Sequence, residues 1–306
     1  MKRRLWAASI VTAVLLMTPL VAGAKAPSGL QVTPLRSYPV QNPGTITDGN
    51  LTLTNYTDSP QQVLLSTETF KTSGEDYRYS FGSNDATSWV QYAEPVINLA
   101  PKQTKVAKYT IVVPTDAAPG GKYLALITSL APPPGTQKIT EIRRIASLVY
   151  LQVNGLVTKT SRLLSFDVPH LTSKPSFIGH VRIDNGGNTH FQSRVGFYVQ
   201  RWPLPGQGTY ITQLQGFVLP GTVRQLSAEV FLPRNPGIYR VTADYAPPQG
   251  GVNRISHNII YLPLWFLGVV VIFLMALIVL IIRFWRSKPI HKIKRRVRAP
   301  KSNEPS

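Results

Sequence analysis

The chain has 306 residues, 43% of them hydrophobic, with 33 Lys and Arg against 14 Asp and Glu, a formal charge of +19 and no cysteine. That length suits one large domain or two ordinary ones, and the lack of cysteine excludes disulfides, cysteine nucleophiles and thiolate metal sites. Three of the basic residues lie in the first four positions and nine in 283–306, so residues 25–258 hold 21 basic and 13 acidic residues, a net of +8. The densest basic run therefore sits beside an apolar segment rather than on a folded face, which excludes nucleic acid as the partner and points to a membrane surface.

In chain order, Lys2, Arg3 and Arg4 precede an apolar run from Leu5 to Val21, and Ala22-Gly23-Ala24 supplies a small-x-small site. This predicts a signal peptide over 1–24, with cleavage after Ala26 or an uncleaved anchor as alternatives. The following region is rich in Pro, Gly, Thr, Val and Tyr and shows short alternating runs of the strand period. Strands are predicted at Leu51–Asn55, Gln61–Phe70, Lys105–Val113 and Lys122–Leu130, then at Phe177–Asn185, Arg194–Trp202, Arg224–Leu232 and Ile238–Tyr245.

Two of these stretches repeat each other. Pro101 and Pro114 are 13 apart, as are Pro220 and Pro233; Pro119-Gly120 and Pro236-Gly237 follow, and then Tyr123 and Tyr239. Asn55 and Asn185 close matching strands upstream. A proline closes one strand, Pro-Gly turns the chain, and a tyrosine opens the next, the pattern of a late corner in an immunoglobulin-like sandwich. The expected fold is all-β, with two tandem immunoglobulin-like β-sandwich domains at 27–159 and 160–258; one continuous β structure is the alternative.

Leu262–Ile282 is 21 residues without a charge, long enough at about 1.5 Å per residue to cross a hydrocarbon core. Tyr261, Trp265, Phe284 and Trp285 mark its ends, and the basic tail 283–306 predicts a cytoplasmic carboxy end with the domains outside. No Leu-Pro-x-Thr-Gly precedes it, so the helix is read as a retained anchor in contact with lipid.

Catalytic patterns are missing: there is no Gly-x-Ser-x-Gly, no Ser-x-x-Lys and no His-Glu-x-x-His. His180 and His190 flank a turn but form no metal spacing, and the chain is read as a non-enzyme with no catalytic residue, metal or cofactor. Candidate ligand-binding residues are Tyr77, Tyr79, Phe81 and Trp89 in the irregular stretch 72–92, and Trp202 and Tyr210 in 200–210, types enriched where saccharides and proteins dock; the alternative is that Trp89 fills the core and the tyrosines line a hairpin. A long hairpin over 131–144, ending in Arg143 and Arg144, is the candidate edge for an added partner strand.

The order of signal peptide, two immunoglobulin-like domains, single helix and basic tail resembles the WxL-interacting proteins of Gram-positive bacterial surfaces. The residues that carry the resemblance are 51–55 (LTLTN), Trp89, 97–127 (INLAPKQTKVAKYTIVVPTDAAPGGKYLALI), 218–222 (VLPGT) and 230–241 (VFLPRNPGIYRV). The resemblance implies a bacterial surface protein whose first domain associates with peptidoglycan and whose second binds a WxL partner. The expected function is thus binding of cell-wall polymer, a surface protein, or both. The alternatives are a membrane-tethered two-domain chaperone acting through a sheet edge and a structural subunit of a membrane complex.

Overall fold

The computed structural model describes residues 29–131, 143–204 and 208–286. The predicted signal peptide, 132–142 of the predicted hairpin and the tail from 287 lie outside the described residues. Two compact units divide the chain, one running to Lys71 and over Tyr79–Leu156, the other over Thr72–Arg78 and from Val157 onward.

The first unit holds β1 (Leu30–Thr33), β2 (Arg36–Ser37), β3 (Val40–Gln41), β4 (Ile46–Asn55), most of β5 (Gln61–Ser73) and of β6 (Arg78–Gly82), and a short 3₁₀ turn (Asp85–Trp89). After these come β7 (Val90–Tyr92), β8 (Val96–Leu99), β9 (Thr104–Val112), β10 (Gly120–Leu130) and β11 (Arg144–Val153). One sheet has the order β1-β4-β9-β7; the other runs β2-β11-β10-β5-β6, with β3 also on β11 and β8 also on β5. Alternation drives the packing. Leu51 and Leu53 of β4, Ala107, Tyr109 and Ile111 of β9, Leu124 and Leu126 of β10 and Val149 and Leu151 of β11 join one buried cluster. Each fully buried leucine there contributes about 2 kcal/mol. The stretch 72–92, expected to be irregular, is instead the end of β5, a hairpin into β6, the 3₁₀ turn and β7.

The second unit holds β12 (Ser161–Asp167), β13 (Leu171–Thr172), β14 (Ser176–Asn185), β15 (Phe191–Trp202), β16 (Thr209–Val218), β17 (Thr222–Phe231), β18 (Gly237–Tyr245) and β19 (Asn253–Tyr261). Its sheets have the orders β12-β14-β17 and β13-β19-β18-β15-β16. The series β11-β10-β5-β6 and β19-β18-β15-β16 match position by position, and β2 and β13 each lie parallel to the matching strand. The repeated sequence phrase is thus a repeated strand order. Gly120 and Gly237 open the matching strands β10 and β18 with positive φ, where a side chain would be strained. The buried Tyr239 donates its hydroxyl back to the Asn235 carbonyl at 2.7 Å, as a tyrosine corner does.

The segment 72–78 completes this unit. Tyr77 is buried, and its hydroxyl accepts the Leu219 N–H at 2.9 Å. Arg182 donates Nε to Glu75 Oε2 at 2.7 Å and a second N–H to the other oxygen. That pairing holds the Glu75 carboxyl below its ordinary range, chiefly through the hydrogen bond.

The turn between β14 and β15 offers a test of the packing. A Cβ at Gly187 would run into the Thr158 carbonyl oxygen, whereas one at Gly186 meets nothing within 4 Å. Gly187→Ala is expected to destabilise the protein by about 2 kcal/mol and Gly186→Ala by less than about 0.5 kcal/mol, measured as urea unfolding midpoints. Equal effects would show that the close approach is not what requires glycine.

Beyond β19, Pro263 sets the first turn and α1 spans Leu264–Arg286, two residues later at its start and four at its end than the predicted 262–282. Its 23 residues span about 35 Å, are apolar enough to cross a membrane, and include none that is buried. Arg283 and Arg286 occupy the last turn.

Candidate binding surfaces

The five-stranded sheet of the second unit ends at β16, whose sequence TYITQLQGFV has ten residues, no charge and no proline. Sheet edges usually carry charges, prolines or bulges, or are kept short, because their free N–H and C=O groups attract other strands. The other outermost strands among the described residues follow that practice. β17 carries Arg224 and Glu229, β12 carries Arg162, Asp167 and a register shift, and β1, β7 and β13 have four residues or fewer. β16 carries neither charge nor proline; it has one register shift against β15, at Ile211, and its far end is capped by an Arg224 N–H to the Phe217 carbonyl.

The edge expected at Arg143 and Arg144 is shorter. The Leu148 and Gln152 N–H groups of β11 bond to Leu35 and Pro39 carbonyls at 2.9 Å each. Arg144 and Ala146, at alternate positions, direct their main chain to the same side, where no strand of the described residues pairs with them. The Arg144 side chain forms an ion pair with Glu68, and the Arg143 carbonyl accepts the Leu130 N–H at 3.1 Å.

A second surface is the outward face of the same five-stranded sheet. Residues 198, 200 and 202 of β15 point opposite to the buried Val195, Phe197 and Val199. Pairing sets Gln200 beside Arg240 and Tyr198 beside Thr242, and then Arg240 beside Asn258, Thr242 beside Ser256 and Asp244 beside Arg254. A depression of about 430 Å³ lies among Tyr198, Gln200, Arg240, Thr242, Arg254 and Ser256. The Arg240 guanidinium stacks on the Trp202 ring, 3.4 Å from its centre. Tyr198 and Tyr210 meet edge to face with centroids 5.4 Å apart, leaning over the bare backbone of Gly196. Arg254 clamps Asp244 through two bonds of 2.6 and 2.8 Å, and the carboxylate holds the guanidinium above its ordinary range.

Of the residues expected to bind ligand, Trp202 and Tyr210 border this face, 37% and 49% exposed. The other four do not form one surface. Tyr77 is buried in the second unit, while Tyr79 packs on Phe70 and shares a 3.2 Å hydroxyl contact with Tyr150. Trp89 lies against the first core, and Phe81 is exposed on β6. Sequence reasoning missed Tyr198, Gln200 and Arg240, which only strand pairing brings together. It also missed a hydrogen bond of 2.8 Å between His180 Nδ1 and Ser227 Oγ. Gln225 also donates to that nitrogen, at 3.0 Å, so the three form a polar surface row on neighbouring strands. His190 is buried against Phe217 rather than paired with His180. Among the described residues no three His, Asp or Glu side chains cluster as a metal site would require.

No protein-family model matches the chain, and no curated protein matches it. Solved structures similar to it include a CFA/I fimbrial chaperone–tip adhesin complex, with a TM-score of 0.40 and 10% identity over 77% of this chain and 100% of that one. The class 5 fimbriae chaperone CfaA has a TM-score of 0.39 and 11% identity over 76% of this chain and 100% of its own. The CsuC–CsuE chaperone–tip adhesion subunit pre-assembly complex of Acinetobacter baumannii has a TM-score of 0.39 and 11% identity, over 77% of this chain and 100% of that one.

Proposed function

We propose that the protein is a non-enzymatic, membrane-anchored surface protein that binds a protein partner by adding an extended segment of it to the open edge of β16. In this reading two immunoglobulin-like sandwiches stand outside the membrane on α1, and the basic residues after the helix stay in the cytoplasm. The observation that carries it is the ten-residue, uncharged, proline-free edge at Thr209–Val218. An extended partner would satisfy the free main-chain groups there, with specificity from alternate side chains. The anchor reading rests on the length and apolarity of α1, which has no buried residue.

A photo-crosslinking amino acid placed at Gln213 or Gln215 of the full-length protein in its own membrane tests this. The expected result is a discrete protein adduct, with the crosslinked peptide an extended alternating segment, and no such adduct from Ser227 on β17. Gln213→Lys, which puts a charge on the edge, should remove at least nine-tenths of the adduct formed at Gln215. Adducts of equal yield from β16 and β17, or none from β16, would sink the proposal.

A further inference from the structure

We propose that the outward face of the β13-β19-β18-β15-β16 sheet is a binding site for a glycan bearing uronic-acid carboxylates, with Arg240 as its anchoring residue. This goes beyond the strand-edge reading, since the depression lies over β15, β18 and β19 rather than along the outer side of β16.

The first argument is the state of the two arginines. Arg254 spends Nε and one Nη on Asp244, so its charge is answered. Arg240 spends only Nε, on the Asn258 side-chain oxygen at 3.3 Å. Its two Nη groups remain as a planar fork at the wall of the depression, held in orientation by the Trp202 ring beneath. A planar carboxylate fits such a fork with two parallel hydrogen bonds, and a guanidinium fixed on a ring loses less freedom on binding than a mobile one.

The second argument is the remainder of the lining. Beside the Arg254–Asp244 pair it holds Gln200, Thr242 and Ser256. Thr242 and Ser256 bond each other at 2.9 Å and Gln200 donates to the Leu204 carbonyl at 3.2 Å. That leaves the Gln200 oxygen and the hydroxyl lone pairs to accept from ring hydroxyls, and one hydroxyl to donate. Tyr198 supplies aromatic surface at the rim, and Tyr210, packed edge to face against it, extends that surface, where the C–H face of a pyranose can lie. The lining is mainly polar, with Tyr198 its one aromatic residue, which suits a hydroxyl-rich ligand better than an apolar one, and a volume of about 430 Å³ falls in the ordinary range for a ligand site. The third argument is charge. Arg194, Arg240 and Arg254 stand on this face against Asp244, and residues 25–258 carry 21 basic and 13 acidic residues. An acidic ligand is drawn to such a surface, whereas an acidic cluster would repel it.

The test measures binding of the full-length protein in detergent to polygalacturonate, to its methyl ester, to poly-glutamate and to poly(glycerol phosphate), at low and at physiological salt. Polygalacturonate is expected to bind at least tenfold more tightly than each of the other three and to remain bound at physiological salt. Arg240→Lys keeps the charge but removes the fork, and it should weaken polygalacturonate at least tenfold; Tyr210→Ala should weaken it at least threefold. Thermal melting of both variants checks that the fold is kept, and Gln200→Ala is a third variant at the same wall in case either unfolds. Poly-glutamate binding equally well would show charge attraction alone and overturn the proposal. Tighter binding of poly(glycerol phosphate), no binding of polygalacturonate, or full binding by Arg240→Lys would overturn it as well.

Discussion

Asn185→Ala is expected to destabilise the protein by about 4 kcal/mol, and Asn55→Ala by a similar amount. Both side chains are fully buried at the ends of matching strands. The Asn185 amide donates to the Thr189 carbonyl at 2.9 Å and to the Val218 carbonyl at 2.8 Å, while its oxygen accepts the Gly187 N–H at 2.9 Å. Asn55 donates to the Ser59 and Ala100 carbonyls at 2.9 and 3.0 Å and accepts from the Thr57 N–H and hydroxyl at 2.9 and 2.7 Å. Each residue thus supplies the partners of main-chain groups in two separate turns. Removing it leaves three or more buried or partly buried polar groups unanswered, at about 1 to 3 kcal/mol for each that water cannot reach. Against a total stability of about 5 to 15 kcal/mol, such a loss is decisive.

The near-isosteric Asn185→Asp separates hydrogen bonding from packing. At neutral pH its carboxylate would face two carbonyl oxygens with no proton to donate, so the loss should equal or exceed that of alanine despite the unchanged volume. Chemical unfolding of the full chain at pH 7 measures both. A loss under about 1 kcal/mol for Asn185→Asp would show that these bonds do not hold the turns. The same geometry closes one of the two sequence patterns for N-glycosylation. Asn55 of Asn55-Tyr56-Thr57 is buried, whereas Asn50 of Asn50-Leu51-Thr52 is exposed.

These asparagines show what local sequence carries. The predicted strand at Leu51–Asn55 lies within β4 and that at Phe177–Asn185 within β14, because one side of each strand is core and the period of two survives in the text. Strand β11 escaped notice for the opposite reason. Ser147, Leu148, Val149, Tyr150 and Leu151 are all buried, so its apolar run has no alternation; β10, equally buried from Leu124 to Thr128, is legible because Pro119-Gly120 marks the turn before it. The whole of β6 is exposed, which leaves Arg78–Gly82 looking like a loop. On the candidate face, Trp202 and Tyr210 drew attention as residue types. Arg240 did not, because its place over Trp202 depends on the register that sets Gln200 opposite it, 40 positions along the chain. Register belongs to pairing between distant strands, and one strand read alone does not contain it.

The second large effect belongs to acid. His190 is buried just ahead of β15 with its ring 5.7 Å from that of Phe217. Burial, aided by the charge of Lys159, pulls its pKa from 6.5 down to about 4. Above pH 6.5 the imidazole is neutral in both the folded and the unfolded chain and contributes no pH dependence. Between 6.5 and 4 the unfolded chain takes up a proton that the folded one refuses, so stability falls as pH falls, and the loss levels off below 4. Over that window it amounts to about 3 kcal/mol, one pKa unit being worth about 1.4 kcal/mol. His190→Phe keeps an aromatic ring against Phe217 and removes the titration. The difference in unfolding free energy between pH 7.5 and pH 4.5 should therefore shrink by about 2 to 3 kcal/mol in this variant. Carboxylates titrating in the same range are common to both proteins and cancel in the comparison. An unchanged difference would mean that the ring opens to water and takes its proton in the folded state. A reduced one would establish that this corner of the second unit is built around an uncharged histidine, and that acid weakens the unit that carries both candidate surfaces.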